Sequence, residues 1–349
     1  MSHHQQRIPP DQAQRPFFVG VDLGGTNVKV GLVDDLGRTL AYRSIPTEAD
    51  KGPDDATRRM AQAVRDAIAQ AGLQVHDVAR VGLGSPGTMD IPGGYLIQPV
   101  NLKGWDGYPI RDKLAEYCGL PVSFENDANA AAYGEYWVGS GRAFHSMVLL
   151  TLGTGIGCGI IIGDLVLRGE NSHGAECGHI IIDCREDALV CGCGQPGHLE
   201  AYASATGVIK RAEAALKGSR TSSLRKRLSA GEELTPLLIA QEAEKGDSLS
   251  LEIVLETARY LGIGIVSLMH TIDPNGVLLG GAMTFGGRES PLGQQFLARI
   301  KQEIDRRAFA LLAERITLDF AALGGDAGYI GAAGIARLEH QQLHSKKGA

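Results

Sequence analysis

Two segments of this chain run from an apolar strand directly into a glycine turn. Residues 19–26 read VGVDLGGT, and residues 148–155 read VLLTLGTG. The segments align without gaps, so that Asp22 lies opposite Thr151, and an apolar second strand follows each turn. A repeat of this kind indicates an internally duplicated fold. Because glycine lets backbone N–H groups approach an anion closely, the pair predicts a phosphate clamp with two related halves.

The segments after the two turns separate this pattern from the common nucleotide-binding loops. Both VKVGLVDD and CGIIIGDL are strand-like, so each unit reads strand, turn, strand. A Walker or Rossmann loop would open a helix instead, and the GxxxxGK[ST] pattern does not occur. Gly82, Gly84 and Gly87 have the GxGxxG spacing, but the TMDIPGG that follows them cannot begin a helix. An ordinary β-hairpin remains the alternative for a single copy, and the matched second copy favours phosphate binding.

Length and charge limit the classes of protein to which the chain can belong. At 349 residues it exceeds the size that one hydrophobic core usually serves, so we expect two domains with a cleft between them. Its 34 basic and 40 acidic side chains include no Lys/Arg-rich block, so nucleic acid is not an expected partner. Neither a membrane-length apolar span nor a signal peptide occurs, which predicts a cytoplasmic protein without membrane contact.

The motifs also give a prediction of the domain limits. The polar, proline-rich residues 1–16 are expected to form a disordered leader. A small N-terminal α/β domain is predicted at 17–125, completed by a C-terminal helix at about 326–340 that carries small residues on one side. A large α/β domain is predicted at 126–325, and residues 341–349 are expected to fray.

Candidate chemistry begins at Asp127, where an apolar strand gives way to an alanine-rich helix. The helix dipole favours an ionised carboxylate at this position, which suits a general base. A plain helix cap is the alternative interpretation. Glu176, His179 and Glu200 form a second acidic and polar group in a region rich in turns. Several acceptors that converge on one place suit a polyhydroxylated ligand.

Four residues beside these glutamates have the spacing of a structural zinc site. Cys191 and Cys193 form a CxC pair, His179 precedes it, and His198 follows five positions after Cys193. Two thiolates and two imidazoles complete a tetrahedral zinc site, whereas buried free cysteines with surface histidines are the alternative. Clustered cysteines in a reducing compartment favour metal over disulfides. Since His179 lies three residues after Glu176, a metal in the loop 176–200 would fix the carboxylate in position.

Several ordered motifs together resemble the ROK family of sugar kinases and related repressors, within the actin-like ATPase superfamily. The resemblance runs from about Phe17 to Leu338, and its motifs are DLGGTNVKVG, ENDANAAAYGE, LGTGIGCGI, the ECGH of residues 176–179, and CGCGQPGHLE. It implies an α/β chain with the two-domain actin-like ATPase (ribonuclease H-like) fold. The duplicated β-hairpin phosphate motifs would then adjoin an interdomain cleft.

The resemblance also implies a role for each position that matches a family motif. Asp127 would be the general base that takes the proton from the sugar 6-hydroxyl, and Asn126 would be a sugar ligand. Further sugar contacts are implied for Glu176, His179, Glu200, Gly87 and Asn101. ATP contacts are implied for Asp22 through Mg²⁺, for the phosphate-binding residues Gly24, Gly25, Thr26, Gly153, Thr154 and Gly155, and for Gly280 and Gly281 against the adenosine.

The implied reaction is ATP-dependent phosphorylation of a hexose, and this places the chain in carbohydrate metabolism and glycolysis. Glucose is the expected acceptor, and fructose, mannose, N-acetylmannosamine and N-acetylglucosamine are alternatives within the family. One departure concerns His198, which stands where the family has cysteine, so the ligand set is Cys2His2 in place of Cys3His. Zinc accepts either set, so we expect the site to be retained. A homodimer is the family expectation.

Two other classes of protein compete with this interpretation. The family includes sugar-sensing repressors, which carry a winged helix-turn-helix ahead of the first hairpin. The 16 residues before Phe17 are too few for such a domain and are not basic. A zinc-dependent hydrolase would need an open metal position near a base, whereas four candidate ligands close this site.

Overall fold

The computed structural model describes residues 7–99 and 102–345. None of the helices in those two ranges is long and apolar enough to cross a membrane. Within the described residues the chain forms twelve strands, which are Phe17–Leu23 (β1), Asn27–Val33 (β2), Thr39–Pro46 (β3), Val78–Ser85 (β4), Met89–Asp90 (β5), Tyr95–Leu96 (β6), Val122–Asn126 (β7), Ser146–Leu152 (β8), Ile156–Ile162 (β9), Leu165–Val166 (β10), Gly276–Gly281 (β11) and Thr317–Phe320 (β12).

Among the described residues, the α-helices alternate with strands up to residue 166, and five of them then follow in succession before β11. Their bounds, again among the described residues, are Pro53–Gln70 (α1), Ile110–Cys118 (α2), Asp127–Trp137 (α3), Leu199–Ala203 (α4), Ala205–Leu216 (α5), Leu224–Ser229 (α6), Pro236–Glu244 (α7), Ser248–Ile272 (α8), Pro291–Arg307 (α9), Ala310–Arg315 (α10) and Ala327–Ser345 (α11).

The two large sheets repeat one strand order. The first is β3-β2-β1-β4-β7 and the second is β10-β9-β8-β11-β12. In the first sheet β1 is antiparallel to β2 and parallel to β4, and β4 is parallel to β7. In the second, β8 is parallel to β11, and β11 is parallel to β12. The strand–glycine–strand units therefore occupy equivalent places, β1–β2 and β8–β9, in two related sheets.

Contacts along the chain define two compact units. The first comprises the described residues up to Phe144, Gly159–Ala175 and the described residues from Ala322. The second comprises His145–Cys158 and Glu176–Ala321. Helix α3, which the sequence prediction placed in the domain 126–325, is part of the first unit.

The first sheet is covered by helices on both faces because alternate residues of β1 point in opposite directions. Phe17 and Val19 belong to the core cluster that includes Met60 of α1. Phe18 belongs to a second cluster with Tyr329 of α11. Burial on both faces explains why β1 is almost continuously apolar rather than alternating.

Helix α11 approaches the first sheet and α3 at distances that only glycine allows. A Cβ added to Gly20 of β1 would lie 1.7 Å from the carbonyl oxygen of Tyr329. A Cβ on Gly331 of α11 would lie 1.6 Å from the carbonyl oxygen of Ala130 in α3. The small residues predicted on one side of the C-terminal helix therefore face its neighbours, and this contact joins α3 to the first unit.

The ends of the chain differ from the sequence prediction where the structure describes them. Residues 7–16 were expected in a disordered leader, but the Ile8 N–H donates to the Thr39 carbonyl at 3.0 Å, and the Gln14 N–H donates to Asp34 Oδ2 at 3.0 Å. Ile8 also packs against the core of the first unit, so hydrogen bonds and burial order a segment whose composition is polar. Residues 1–6 of the predicted leader lie outside the described residues. Helix α11 continues to Ser345, and the rest of the predicted tail also lies outside them.

Candidate active site

The first glycine turn connects β1 to β2, and one hydrogen bond within the turn and one from Thr47 fix its shape. The Gly24 N–H donates to the Asn27 carbonyl at 3.0 Å, and Thr47 Oγ1 donates to the Gly24 carbonyl at 2.6 Å. Thr26 is exposed, and a Cβ on Gly25 would meet no described atom within 4 Å. The turn therefore presents open backbone, as a phosphate site requires.

Asp22 is the acidic residue of this turn, and its surroundings include a cation that the sequence prediction missed. Lys29 Nζ lies 3.9 Å from Asp22 Oδ2 and donates to the Gly325 carbonyl at 2.7 Å. A Cβ on Gly328 would lie 2.4 Å from Asp22 Oδ2, so the carboxylate packs against the first turn of α11. Burial raises the pKa of Asp22 above its ordinary value, and the Lys29 charge partly opposes that shift.

The raised pKa of Asp22 gives a prediction about the pH dependence of stability. Because the fold favours the neutral carboxyl, its stabilisation is present below the ordinary pKa of 3.8 and is lost as the pH rises through the raised value. We therefore expect Asp22→Asn to melt at a higher temperature than the wild type at pH 7, with a difference that shrinks toward acid. Melting curves from pH 4.5 to 8 measure it, with the exposed Asp164→Asn as control. An equal difference at every pH would contradict this prediction.

Asn126 and Asp127 lie at the junction of β7 and α3. Asn126 is the N-cap, and its side chain accepts hydrogen bonds from the N–H groups of Ala128 and Asn129. Asp127 is the first residue of the helix, and its Oδ1 accepts from the Ala128 N–H at 2.8 Å. The capping role that was the alternative for Asp127 is therefore filled by Asn126.

Strand register brings these residues to the same edge of the first sheet as the first glycine turn. Asp22 pairs with Gly84, and Ser85 pairs with Asn126, across three parallel strands. The carboxyl ends of parallel strands are where ligands bind in open α/β sheets. Gly87 follows β4 at this edge, with φ of +90°. Asn101, the other predicted sugar contact of the N-terminal half, lies outside the described residues.

A buried carboxylate supports the start of α3. Glu125 is 1% exposed, and its Oε1 accepts from the Asn126 N–H and from Asn129 Nδ2, both at 3.0 Å. Arg168 Nε donates to the other oxygen at 2.7 Å. A buried carboxylate is stable in an ionised form only with such partners, so the Arg168 pair fixes the backbone that carries Asp127.

The second glycine turn and Gly280–Gly281 meet in the second unit. Strand β11 lies beside β8 so that Gly280 pairs with Thr151 and Gly281 with Leu152. Gly281 has φ of +87°, and a Cβ there would lie 2.3 Å from the Leu152 carbonyl oxygen. The predicted phosphate and adenosine contacts of this unit therefore lie at neighbouring strand ends.

The four predicted zinc ligands form one cluster in the second unit. One ligand atom from each of His179, Cys191, Cys193 and His198 lies within 4.8 Å of the other three. The two Nδ1 atoms are 3.2 Å apart, Cys193 Sγ is 3.3 Å from His198 Nδ1, and Cys191 Sγ is 3.9 Å from His179 Nδ1. Tetrahedral zinc with nitrogen and sulfur ligands requires separations of about 3.3–3.8 Å. His198 thus points into the cluster, and the donor set fits zinc.

The predicted sugar residues of this unit border the cluster. His179 directs Nδ1 to the cluster, while its Nε2 lies 4.0 Å from Glu176 Oε2. Glu200 Oε1 lies 3.3 Å from Cys191 Sγ. The structure therefore places Glu176 beside His179 and Glu200 beside Cys191, both of which belong to the four-residue cluster.

The match to known proteins extends over nearly the whole chain. The family model described as "ROK family" matches residues 18–339. The chain belongs to the ROK family. A glucokinase from Halalkalibacterium halodurans is 33% identical over 327 residues, which cover 94% of this chain and 97% of that protein. The predicted family is confirmed.

Two solved ROK structures resemble the present one. A ROK hexokinase from Thermus thermophilus has a TM-score of 0.78 at 33% identity, covering 93% of this chain and 99% of that chain. A ROK family glucokinase from Streptomyces griseus, in complex with glucose and AMPPNP, has a TM-score of 0.73 at 32% identity, covering 92% and 99%. The predicted two-domain actin-like ATPase fold of ROK sugar kinases is confirmed.

Three residues of this site were not predicted from the sequence, namely Lys29, Glu125 and Arg168. A signal existed for Lys29, because in a hairpin around Gly24–Thr26 it is the cross-strand partner of Asp22. Glu125 stood inside the ENDANAAAYGE motif but was assigned no role. The Arg168 contact has no local signal, since 43 positions separate it from Glu125.

Proposed function

We propose that this protein is an ATP-dependent glucokinase, a phosphotransferase that converts glucose and ATP to glucose 6-phosphate and ADP. The observation that carries the proposal is 32% identity, over 92% of the chain, to a ROK glucokinase solved with glucose and AMPPNP. The chain retains a carboxylate at the predicted base position and both glycine turns.

The mechanism rests on positioning and charge more than on strong basicity. Phosphoryl transfer passes through a loose transition state, so an in-line hydroxyl and neutralised phosphate charge contribute most of the acceleration. Asp127 takes the proton of the sugar 6-hydroxyl, and Asn126 orients the same sugar. N–H groups of the two glycine turns bind the ATP phosphates. Exclusion of water from the closed site protects ATP from hydrolysis.

Mg²⁺ is the metal that this reaction requires, and the surroundings of Asp22 fit it. The carboxylate is one-fifth exposed and stands beside the first glycine turn, and carboxylate oxygen is a ligand that Mg²⁺ prefers. When bound, the ion neutralises charge on the ATP phosphates. Lys29 holds Asp22 in place and supplies a second positive charge nearby.

Zinc in the His179, Cys191, Cys193 and His198 cluster is part of the proposal. Four protein ligands leave no open position, so the ion is structural and supports the sugar-binding loop. We expect about one zinc per chain in the wild type and a large loss in His198→Asn, because one of four ligands is removed. His198→Cys, which restores the family ligand, is expected to keep the metal.

Metal analysis of the purified proteins by plasma mass spectrometry tests this prediction. His173→Asn changes an exposed histidine of the preceding loop and is the matched control, with zinc content unchanged. Full zinc content in His198→Asn would exclude His198 from the ligand set.

A coupled ADP-release assay tests the function itself. With glucose, fructose, mannose, N-acetylmannosamine and N-acetylglucosamine as acceptors, we expect glucose to give the highest kcat/KM. A higher kcat/KM for another hexose would replace glucose as the substrate while keeping the reaction. ADP release with none of the five sugars would contradict the kinase assignment and favour a sugar-binding regulator.

The remaining expectations concern the compartment, the oligomeric state and the binding partners of the enzyme. We expect a cytoplasmic homodimer that binds sugar and ATP and does not bind nucleic acid. Its acidic balance of 34 basic to 40 acidic side chains supports the last point. Light scattering after size-exclusion chromatography measures the oligomeric state, and a monomer at micromolar concentration would contradict the dimer.

A further inference from the structure

Glu200, a predicted sugar ligand, also contacts the back of the second glycine turn. Its Oε2 accepts a hydrogen bond from the Ile156 N–H at 2.9 Å, directly after the turn. A Cβ on Gly155 would lie 2.3 Å from the same oxygen. The absence of a side chain at Gly155 therefore allows the carboxylate to reach the turn.

The residues that follow Glu200 contact the same turn. The Ala205 N–H donates to the Gly153 carbonyl at 2.9 Å. Thr206 Oγ1 donates to the Thr154 carbonyl at 2.9 Å. Residues 200–206 thus bond to the turn at three points, from α4 and the first turn of α5.

These contacts determine the direction of the N–H groups in the turn. In a trans peptide the C=O and the N–H of the next residue point in opposite directions. With the Gly153 and Thr154 carbonyls held by residues 200–206, the N–H groups of Thr154 and Gly155 point away from that segment. They are therefore oriented as anion donors before any ligand arrives.

Helix α4 begins at the four-residue cluster. Its N-cap is His198, one of the predicted zinc ligands, and Glu200 is its second residue. Tyr202, also on α4, accepts a hydrogen bond from the Leu189 N–H at 2.8 Å. Helix α4 is therefore bonded to the cysteine loop through Tyr202 and to the end of the glycine turn through Glu200, and its N-cap belongs to the cluster.

We propose that Glu200 and helix α4 are positioning elements that couple the His/Cys cluster to the second glycine turn, so that ATP binding depends on the cluster. The inference rests on the proposed function, in which this turn binds ATP phosphates. The cluster then supports both substrates: the sugar through Glu176 and His179, and ATP through Glu200. Loss of a cluster ligand makes α4 less rigid. The N–H groups of Thr154 and Gly155 are then no longer held in one direction.

Two substitutions at Glu200 separate its contacts. A glutamine oxygen still accepts from the Ile156 N–H, so Glu200→Gln is expected to keep the KM for ATP within about twofold of the wild type. Glu200→Ala removes the acceptor and is expected to raise the KM for ATP about tenfold. Both variants are expected to raise the KM for glucose. Equal KM values for ATP in the alanine variant and the wild type would overturn the role of Glu200.

A pair of cysteine variants tests the coupling to the cluster. Cys193 belongs to the cluster, whereas Cys184 is an exposed cysteine of the same loop outside it. Calorimetric titration with AMPPNP is expected to show a Kd about tenfold higher in Cys193→Ser and unchanged in Cys184→Ser. Zinc content of both proteins is measured in parallel. A Cys193→Ser protein that has lost zinc but binds AMPPNP as the wild type does would overturn the coupling.

Failure of this inference is distinguishable from failure of the proposed function. A wild type that neither binds AMPPNP nor phosphorylates glucose contradicts the function. A wild type that does both, with unchanged AMPPNP affinity in the variants, contradicts only the coupling. If Cys193→Ser does not fold, the Glu200→Ala and Glu200→Gln pair decides. Thr206→Val removes one further contact to the turn outside the cluster, and it is expected to raise the KM for ATP but not for glucose.

Discussion

Asp127→Asn is expected to lower kcat by about 10²–10⁴-fold, while the KM for glucose stays within about threefold of the wild type. The asparagine side chain keeps the size and the hydrogen bond to the Ala128 N–H but cannot accept a proton from the sugar hydroxyl. The loss therefore falls on the chemical step and not on sugar binding. Steady-state kinetics with glucose and ATP, together with glucose titration of the variant, separate the two effects.

Asp164→Asn is the control for this experiment, because Asp164 is an exposed aspartate in the turn between β9 and β10 of the same unit. Its kinetics are expected to match those of the wild type. Near-normal turnover in Asp127→Asn would remove Asp127 from the role of base. A parallel rise in the KM for glucose would instead assign it to sugar binding.

Glu135→Ala is expected to lower the free energy of unfolding of the first unit by about 3–5 kcal/mol. Glu135 is fully buried, and its carboxylate accepts from the N–H groups of Ser140 at 2.9 Å, Ala322 at 3.1 Å and Leu323 at 2.7 Å. Alanine leaves these donors without their carboxylate acceptor, and each such loss costs about 1–3 kcal/mol. The substitution also removes the hydrogen bonds that connect α3 to the segment before α11.

Urea unfolding followed by circular dichroism measures the effect as a shift of the midpoint. Glu135→Gln keeps one acceptor oxygen, so we expect a smaller loss than in the alanine variant. Glu116→Ala, at an exposed position of α2, is the control and is expected to change stability by less than about 0.5 kcal/mol. Equal midpoints for Glu135→Ala and Glu116→Ala would contradict the structural role of Glu135.

The features that the sequence predicted correctly are those with a local physical signature. Glycine turns between apolar strands can be identified from neighbouring residues, and they located both β1–β2 and β8–β9. The cluster of His179, Cys191, Cys193 and His198 was predictable because its members occupy a 20-residue stretch of turns. The inward direction of His198 required the structure, since spacing does not determine the orientation of a side chain.

The features that sequence reasoning missed depend on contacts between distant segments. The Arg168 to Glu125 pair supports the candidate base across 43 positions, and the Ile156 N–H meets Glu200 across 44. The polar composition of residues 7–16 predicted a disordered leader, but these residues form hydrogen bonds with β3 and with Asp34 in the turn between β2 and β3. The amino-acid composition of a segment indicates how much apolar surface it can bury. It does not indicate which hydrogen bonds the segment forms with other parts of the chain.

The placement of α11 in the first unit has a consequence for the order in which the protein folds during synthesis. Roughly 200 residues separate the end of β7 at Asn126 from the start of α11 at Ala327. At a ribosomal rate of about 5–20 residues per second, the first sheet waits about 10–40 s for the helix that covers one of its faces. During that interval Phe18 and Val33, both fully buried in the finished protein, lack the partners that α11 supplies. We therefore expect the nascent N-terminal segment to keep one apolar face of its sheet uncovered, and open to chaperone binding, until α11 has been synthesised.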